Sequence, residues 1–138
     1  MNDADKQALI AHAMAARQWA YAPYSDYPVG AALLAASGRF YDGCNVENAA
    51  YGSSICAERT ALVKAVSEGE RLFEAVAVVT NAGGSPCGSC RQMLAEFGLE
   101  LTVLLVNGAG EVVSETTLRA LLPDAFTPAS LRQANRPG

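Results

Sequence analysis

The chain has 138 residues, 51% of them hydrophobic, and a formal net charge of −4. This length and composition predict a single domain over residues 1–138 with a packed core. The acidic excess and the lack of any Lys/Arg cluster remove the attraction on which nucleic-acid binding depends, so no DNA or RNA partner is expected. No apolar run reaches the roughly 18 residues that a membrane span needs, so we expect no membrane association and a cytoplasmic location.

The hydrophobic pattern predicts alternating helices and strands. In chain order, the predicted elements are a helix over 5–21, strands over 29–36 and 40–44, a polar loop over 45–54, a helix over 57–68, a strand over 73–80, a helix over 87–97, strands over 101–106 and 111–116, and a short helix over 118–122. Gly69 and Gly98 stand where helices commonly end in a left-handed residue. This order predicts a three-layer α/β/α fold with one mixed five-stranded sheet between helices. A Pro/Gly/Arg tail after Phe126 has no predicted element.

Three of the four cysteines lie in two short motifs, I-C-A-E-R-T at 55–60 and S-P-C-G-S-C-R-Q at 85–92. Both motifs fall at predicted helix N-termini, where the backbone N–H groups and the helix dipole stabilise thiolates. Cys87 and Cys90 are three residues apart and therefore share one face of a helical turn, as two ligands of one tetrahedral ion must. In a reducing compartment these cysteines indicate metal ligands or a redox pair rather than a disulfide framework.

Cys56 supplies a third sulfur only under one geometric condition. On a regular helix, Cys56 and Glu58 would point roughly 200 degrees apart, so they can share a site only if Cys56 lies at or just before the N-cap. Three thiolates then leave one zinc position open for water, which is the arrangement of a catalytic zinc rather than a structural one. Glu58 is the candidate to collect the proton of that water without binding the metal itself.

Further side chains near the two motifs complete the predicted site. Three thiolates on a dication leave a net negative charge, and Arg59 and Arg91, each directly after a motif, are placed to offset it by donating hydrogen bonds to the sulfurs. Cys44 could supply a fourth ligand, but a small buried apolar role is the simpler interpretation. His12 is interpreted as a surface or packing residue.

The combination of motifs is more specific than either motif alone. A single C-x-x-C fits a redox dithiol, half of a structural zinc site or chance spacing. C-A-E followed by P-C-x-x-C matches the signature of zinc-dependent nucleobase deaminases, H-x-E and P-C-x-x-C, with a cysteine in place of the histidine. Both motifs also stand at predicted helix starts, which favours this interpretation.

Seven ordered blocks cover much of the chain. They are Y-A-P-Y-S (21–25), P-V-G-A-A-L (28–33), G-C-N-V-E-N-A (43–49), Y-G (51–52), I-C-A-E-R-T-A (55–61), P-C-G-S-C-R-Q (86–92) and L-L-P-D-A-F (121–126). Together they resemble the small homotetrameric cytidine deaminases of pyrimidine salvage. The resemblance implies the cytidine deaminase-like fold, one Zn²⁺ per subunit, and hydrolytic deamination of cytidine and 2′-deoxycytidine to uridine and 2′-deoxyuridine plus ammonia. It also implies a homotetramer whose sites are shared between subunits.

The same resemblance implies individual roles. Cys56, Cys87 and Cys90 would bind zinc, and Glu58 would move protons. The residues implied in substrate binding are Tyr27, Asn45, Glu47 and Ala57 within one subunit, and Ala49, Tyr51 and Phe126 reaching a neighbouring subunit's substrate.

Three of these residues raise alternatives. Asn45 and Glu47 would hold the ribose hydroxyls, because side chains two apart on an extended segment point the same way; a solvated turn is the alternative for N-V-E-N. Tyr27 stands where the resembled family usually has Phe, and its hydroxyl needs a partner if it is buried. The tolerance of the site for different sugars is therefore open.

Three other functions remain as alternatives. A deaminase of another small aminopyrimidine, such as blasticidin S, would share the zinc and the glutamate but would not be expected to carry the N-V-E-N sugar grip. An RNA or DNA deaminase would need a basic path for the strand, which the charge disfavours. A non-enzymatic zinc or redox module would need a fourth ligand or a disulfide.

Overall fold

The computed structural model describes residues 1–134, in which five strands and five α-helices follow one another. The elements are α1 (Asp3–Arg17), β1 (Gly30–Ala35), β2 (Phe40–Cys44), a 3₁₀ turn (Tyr51–Ser53), α2 (Ala57–Ser67), β3 (Phe73–Val79), α3 (Gly88–Ala95), β4 (Thr102–Val106), β5 (Val112–Thr117), α4 (Leu118–Leu121) and α5 (Pro128–Ala134). The strands form one sheet in the order β2-β1-β3-β4-β5. Only β3 and β4 are parallel, so the predicted mixed five-stranded sheet is confirmed.

Helices cover both faces of this sheet and form the predicted three layers. On one face, α1 contributes Leu9, Ile10 and Ala13 to a buried cluster with strand residues that include Leu34, Ala77 and Val106. On the other face, α2 and α3 contribute Leu62 and Leu94 to a cluster with Leu33, Val76 and Leu105. Because both faces are covered, the central strands are continuous apolar runs rather than alternating ones.

Two glycines allow helices to approach the sheet closely. A Cβ atom at Gly30 would lie 2.1 Å from the carbonyl oxygen of Ala13 in α1. A Cβ atom at Gly43 would lie 2.7 Å from the backbone nitrogen of Ala61 in α2. Backbone contact at these positions fixes the two helices against β1 and β2.

Three strand ends meet at one edge of the molecule. Gly30, the first residue of β1, pairs with Cys44 at the end of β2 and with Val79 at the end of β3. The segments before β1 and after β2 and β3 therefore emerge side by side. This edge also receives the N-terminus of α3, which follows β3.

Two helical predictions differ from the structure. The first helix ends at Arg17 rather than at residue 21, because Tyr21 forms a parallel bridge with Val46 and its backbone N–H donates to the Asn45 carbonyl at 2.9 Å. The tail after Phe126, predicted to lack an element, contains α5.

The start of α5 has a local explanation. Pro128 occupies the first helical position, where its missing N–H costs nothing. The N–H of Thr127 donates to the Ser130 hydroxyl at 3.2 Å, as in a capping box.

Residues 135–138 lie outside the described part of the chain, so a single domain over 1–138 stays a prediction. No helix in residues 1–134 is long and apolar enough to cross a membrane.

Candidate active site

Cys56 and Cys87 occupy equivalent positions at the starts of two helices. Cys56 is the N-cap of α2 with φ −72° and ψ 153°, and Cys87 is the N-cap of α3 with φ −66° and ψ 166°. Neither side chain makes a capping hydrogen bond, which leaves both sulfurs free for another partner. Cys56 thus meets the condition under which it can share a site with Glu58.

The three sulfurs of the motifs have the spacing of ligands to one metal ion. The Sγ atoms of Cys56 and Cys87 are 3.8 Å apart, those of Cys87 and Cys90 are 3.4 Å apart, and all three lie within 4.8 Å of one another. A tetrahedral ion with zinc–sulfur bonds of about 2.3 Å places its sulfurs about 3.8 Å apart. Thiolates are ligands that zinc prefers, so the donor set and its geometry both fit zinc.

This metal-binding group has three members in the described residues. Cys44 is not one of them; it lies half-buried in β2, and burial raises the pKa of its thiol. His12 is exposed on α1, where it stacks on Phe40 and faces Asp42 at 3.6 Å. Neither residue joins the three sulfurs, in agreement with the simpler interpretation of both.

The thiols of Cys56 and Cys90 have pKa values shifted in opposite directions. Hydrogen bonding from Cys90, and then from Cys87, lowers the pKa of Cys56 to about 6, and the positive charge of Arg59 contributes. The pKa of Cys90 is raised, first because its thiol hydrogen-bonds to Cys56 and then because it is buried. Of these two thiols, Cys56 is therefore the stronger acid.

Glu58 is a buried carboxyl group beside this cluster. It lies in the first turn of α2, is 4% exposed, and contributes to the wall of the same cavity as Cys56 and Cys87. Burial raises its pKa, and the negative charge of Cys56 raises it further. A carboxyl group with a raised pKa exchanges its proton near neutral pH more readily than an exposed one, which suits general acid–base chemistry.

The two arginines behave differently from one another. Arg59 contributes its positive charge to the lowering of the Cys56 pKa. Arg91 donates through Nε to the Pro86 carbonyl at 2.8 Å and through Nη1 to the Leu121 carbonyl at 2.7 Å. The sequence predicted hydrogen bonds from both guanidinium groups to the sulfurs. No such hydrogen bond is found within residues 1–134, and Arg91 binds backbone carbonyls around the site instead.

A cavity of about 410 Å³ unites the residues predicted to bind substrate within one subunit. Its wall contains Tyr27, Asn45, Glu47 and Ala57, together with Cys56, Glu58 and Cys87. Sequence reasoning missed other members of the wall, among them Ser25, Val29, Thr80 and Ser85. Ser25, Val29 and Ser85 lie in stretches already singled out, Y-A-P-Y-S, P-V-G-A-A-L and S-P-C-G-S-C-R-Q, whereas Thr80 directly follows β3 and no local pattern marks it.

The residues predicted to reach a neighbouring subunit lie elsewhere. Tyr51 lines a second cavity of about 320 Å³, whose wall shares Ser25 and Glu47 with the first. Phe126 is exposed and lines a cleft beside α5, and Ala49 is exposed on the surface. None of these three side chains lines the cavity that contains the sulfurs.

Asn45 binds the segment that leads into β1. It is 9% exposed, its Oδ1 accepts from the Val29 N–H at 2.9 Å, and its Nδ2 donates to the Tyr27 carbonyl at 2.9 Å. The following residue, Val46, pairs with Tyr21 and with Ile55. N-V-E-N therefore begins as paired, extended backbone and not as a solvated turn.

Glu47 is fixed by three donors from the turn at residues 23–25. Its Oε1 accepts from the N–H groups of Tyr24 and Ser25 at 3.0 and 3.1 Å, and its Oε2 accepts from the Ser25 hydroxyl. Hydrogen bonding, first from the Ser25 hydroxyl, lowers its pKa. Glu47 is thus held in the wall of the cavity that Asn45 also lines.

Tyr27 forms part of the cavity wall and is 44% exposed. A Cβ atom at Gly84 would lie 3.3 Å from its hydroxyl oxygen. The glycine at this position therefore leaves room for the hydroxyl that distinguishes tyrosine from phenylalanine.

Comparison with known proteins assigns this arrangement to a family. The family model of the cytidine and deoxycytidylate deaminase zinc-binding region matches residues 3–106. The chain belongs to this deaminase family. It is similar to a cytidine deaminase of Sporosarcina psychrophila, with 53% identity over 133 residues, 94% of this chain and 97% of that protein.

Solved structures of cytidine deaminases show the same fold. The structure from Burkholderia pseudomallei has a TM-score of 0.83 and 50% identity, covering 91% of this chain and 100% of that one. The structure from Mycobacterium tuberculosis has a TM-score of 0.79 and 42% identity, covering 90% of this chain and 98% of that one. The deaminase family and its zinc-binding sulfurs thus account for the two motifs from which the site was predicted.

Proposed function

We propose that this chain catalyses the hydrolytic deamination of cytidine and 2′-deoxycytidine to uridine and 2′-deoxyuridine, with release of ammonia, in pyrimidine salvage. The observation that carries the proposal is the meeting of three sulfurs at single-ion spacing with the buried carboxyl of Glu58 in one cavity. Similarity to cytidine deaminases over nearly the whole chain supports the choice of substrate.

Cys56, Cys87 and Cys90 would hold the zinc ion, which when bound makes water a nucleophile at neutral pH. Water adds to C4 of the pyrimidine, and Glu58 accepts a proton from it and delivers that proton to N3. Glu58 then takes the remaining proton from the hydroxyl group formed at C4 and passes it to the amino group. The C4–N bond breaks, ammonia leaves, and the C4 oxygen becomes the carbonyl of the product. Glu58 is suited to both transfers because its burial brings its pKa closer to neutrality.

Asn45 and Glu47 are proposed to bind the sugar. Both line the cavity. Beside its three donors from Tyr24 and Ser25, the Glu47 carboxylate retains about one acceptor site for a sugar hydroxyl, and the second N–H of Asn45 Nδ2 offers a donor. Tyr27 and the backbone at Ala57 are proposed to contact the nucleoside on the same wall.

The charge of the cavity favours a nucleoside over a nucleotide. Among the described residues, the wall of this cavity contains two carboxyl groups, Glu47 and Glu58, and no Lys or Arg. The described residues that line the adjoining cavity also include no cationic side chain. A phosphate at the sugar would meet these carboxylates without a cation to bind it.

We also propose a homotetramer with sites completed by neighbouring subunits. Tyr51 and Phe126 are 73% and 58% exposed, so both side chains are available for contact with a neighbouring subunit. Ala49 and these two residues would then reach the substrate of another subunit.

A cytoplasmic location is proposed because the cysteines are free thiols, which a reducing compartment maintains.

An absorbance assay of the zinc-loaded protein tests the function. We expect loss of cytidine and 2′-deoxycytidine with about one zinc per chain, and much slower turnover of deoxycytidylate and free cytosine. Absence of cytidine turnover by zinc-loaded protein would refute the proposal, and faster turnover of blasticidin S would favour the alternative aminopyrimidine deaminase.

A further inference from the structure

We propose that Arg17, outside the catalytic cavity, is a positioning residue that holds two walls of that cavity at their working separation. Arg17 is the last residue of α1, on the face of the sheet opposite to α2 and α3. Its guanidinium binds both the segment before β1 and the loop after β3. The inference rests on the deaminase function proposed above.

The first contact holds the wall that contains Tyr27. Arg17 Nε donates to the carbonyl of Pro28 at 3.1 Å, and Pro28 stands between Tyr27 and Val29, two residues of the cavity wall. Asn45 binds the Tyr27 carbonyl and the Val29 N–H. This wall is therefore held by two side chains, Asn45 from within the cavity and Arg17 from outside it.

The second contact holds the wall that leads to Cys87. Arg17 Nη2 donates to Oδ1 of Asn81, the first residue after Thr80. The Asn81 carbonyl accepts from the Gly108 N–H at 3.2 Å, and the Thr80 hydroxyl accepts from the Gly84 N–H at 2.7 Å. The loop that supplies Ser85 and Cys87 thus begins at a residue bound to Arg17.

The surroundings of Arg17 are shaped for this side chain. A Cβ atom at Gly30 would lie 2.7 Å from the Arg17 Cβ, and a Cβ atom at Gly108 would lie 3.2 Å from Nη1. None of the salt bridges found in residues 1–134 involves Arg17. Its contacts are directional hydrogen bonds from a planar fork, a geometry that lysine does not reproduce.

Loss of this bridge is expected to act on substrate binding more than on chemistry. The two walls would separate where Tyr27 and Ser85 face the nucleoside, whereas Glu58 and the sulfurs are carried by the starts of α2 and α3. KM should therefore rise while kcat and zinc content stay close to those of the wild type.

Arg17→Lys tests this split, with Arg119→Lys as the matched control. Arg119 makes an exposed ion pair with Glu100 and does not line the cavity. We expect Arg17→Lys to raise KM for cytidine about tenfold with kcat within about twofold, and the control to change neither, since small displacements of positioning groups have effects of this size or larger. An unchanged KM, or a fall in kcat that follows a lowered Tm at constant KM, would overturn the inference.

Variants at Asn81 test the bridge from its other end. Asn81→Leu removes the acceptor and should raise KM as Arg17→Lys does, whereas Asn81→Asp keeps an acceptor and should stay near the wild type. The double variant Arg17→Lys/Asn81→Leu should be no worse than either single variant, because both break one bridge. If the two substitutions raised KM multiplicatively in the double variant, the bridge would be refuted.

The failure of the function and the failure of the bridge can be told apart. An inactive wild type would refute the deaminase function, whereas an active wild type with an unchanged KM in Arg17→Lys would refute only the role of Arg17.

Discussion

At the scale of single residues, the site depends on one carboxyl group that is close to the metal ligands without being one of them. Glu58→Gln preserves the size of the side chain but cannot take up a proton. We expect kcat for cytidine to fall at least about a hundredfold, the lower range for loss of a general acid–base group. Initial rates and the ratio of zinc to protein check this, and zinc content should not change.

Glu74→Gln is the matched control for this substitution, because Glu74 is exposed on β3 and outside the cavity. It should retain the kcat of the wild type. If Glu58→Gln lost its zinc together with its activity, Glu58 would be a ligand and its proposed role would be wrong.

The pairing of Cys87 with Cys90 was predictable from sequence because its geometry is local: the two residues share a helical turn. Cys56, 31 positions before Cys87, was assigned to the same site through the match of C-A-E and P-C-x-x-C to the deaminase signature. The contacts of Arg91 were predicted wrongly. Arg91 follows Cys90 directly, and consecutive residues on a helix point about 100 degrees apart. Its side chain therefore reaches the Pro86 and Leu121 carbonyls rather than the sulfurs.

At the scale of elements, the position of α2 against β2 depends on Gly43. In Gly43→Ala the new methyl group would lie 2.7 Å from the Ala61 nitrogen and force the helix outward. We expect the free energy of unfolding to fall by about 1–3 kcal/mol, as for overpacked cores. Urea unfolding measures this loss.

Gly52→Ala provides the comparison, because a Cβ atom at Gly52 has no neighbour within 4 Å. It should unfold at nearly the same urea concentration as the wild type. Equal stability of the two variants would show that α2 does not rest on β2 as described.

Most elements were predicted because apolar periodicity and helix end signals are local, as at Gly69, whose φ of 102° confirms a left-handed helix end. The order of the strands was not predicted, because neighbours in a sheet are chosen by packing between distant segments. The helix α5 was missed because Pro128 suggests a break in a tail, although proline also starts helices.

At the scale of the whole molecule, bound zinc would join the starts of α2 and α3 as a cross-link. Removal of the metal by a chelator should lower the free energy of unfolding, by about 4 kcal/mol if free zinc had stood at a thousand times its Kd and the unfolded chain does not bind it. Calorimetry with and without chelator measures the shift in Tm, and added zinc should reverse it. Cys44→Ser is the control: because Cys44 is not one of the three clustered sulfurs, this variant should show the same zinc-dependent shift in Tm as the wild type. An unchanged Tm after verified zinc loss would refute the cross-link.

The spacing of the three sulfurs along the chain also orders the assembly of the site during folding. Cys87 and Cys90 are separated by 3 positions, so one helical turn brings them together. Cys56 and Cys87 are separated by 31 positions, and their approach requires a loop to close with the entropy loss that this entails. A two-sulfur half-site therefore arises locally, whereas the complete ligand set exists only once β3, which connects α2 to α3 along the chain, has joined the sheet on which both helices pack. Tight metal capture is thus a late event of folding.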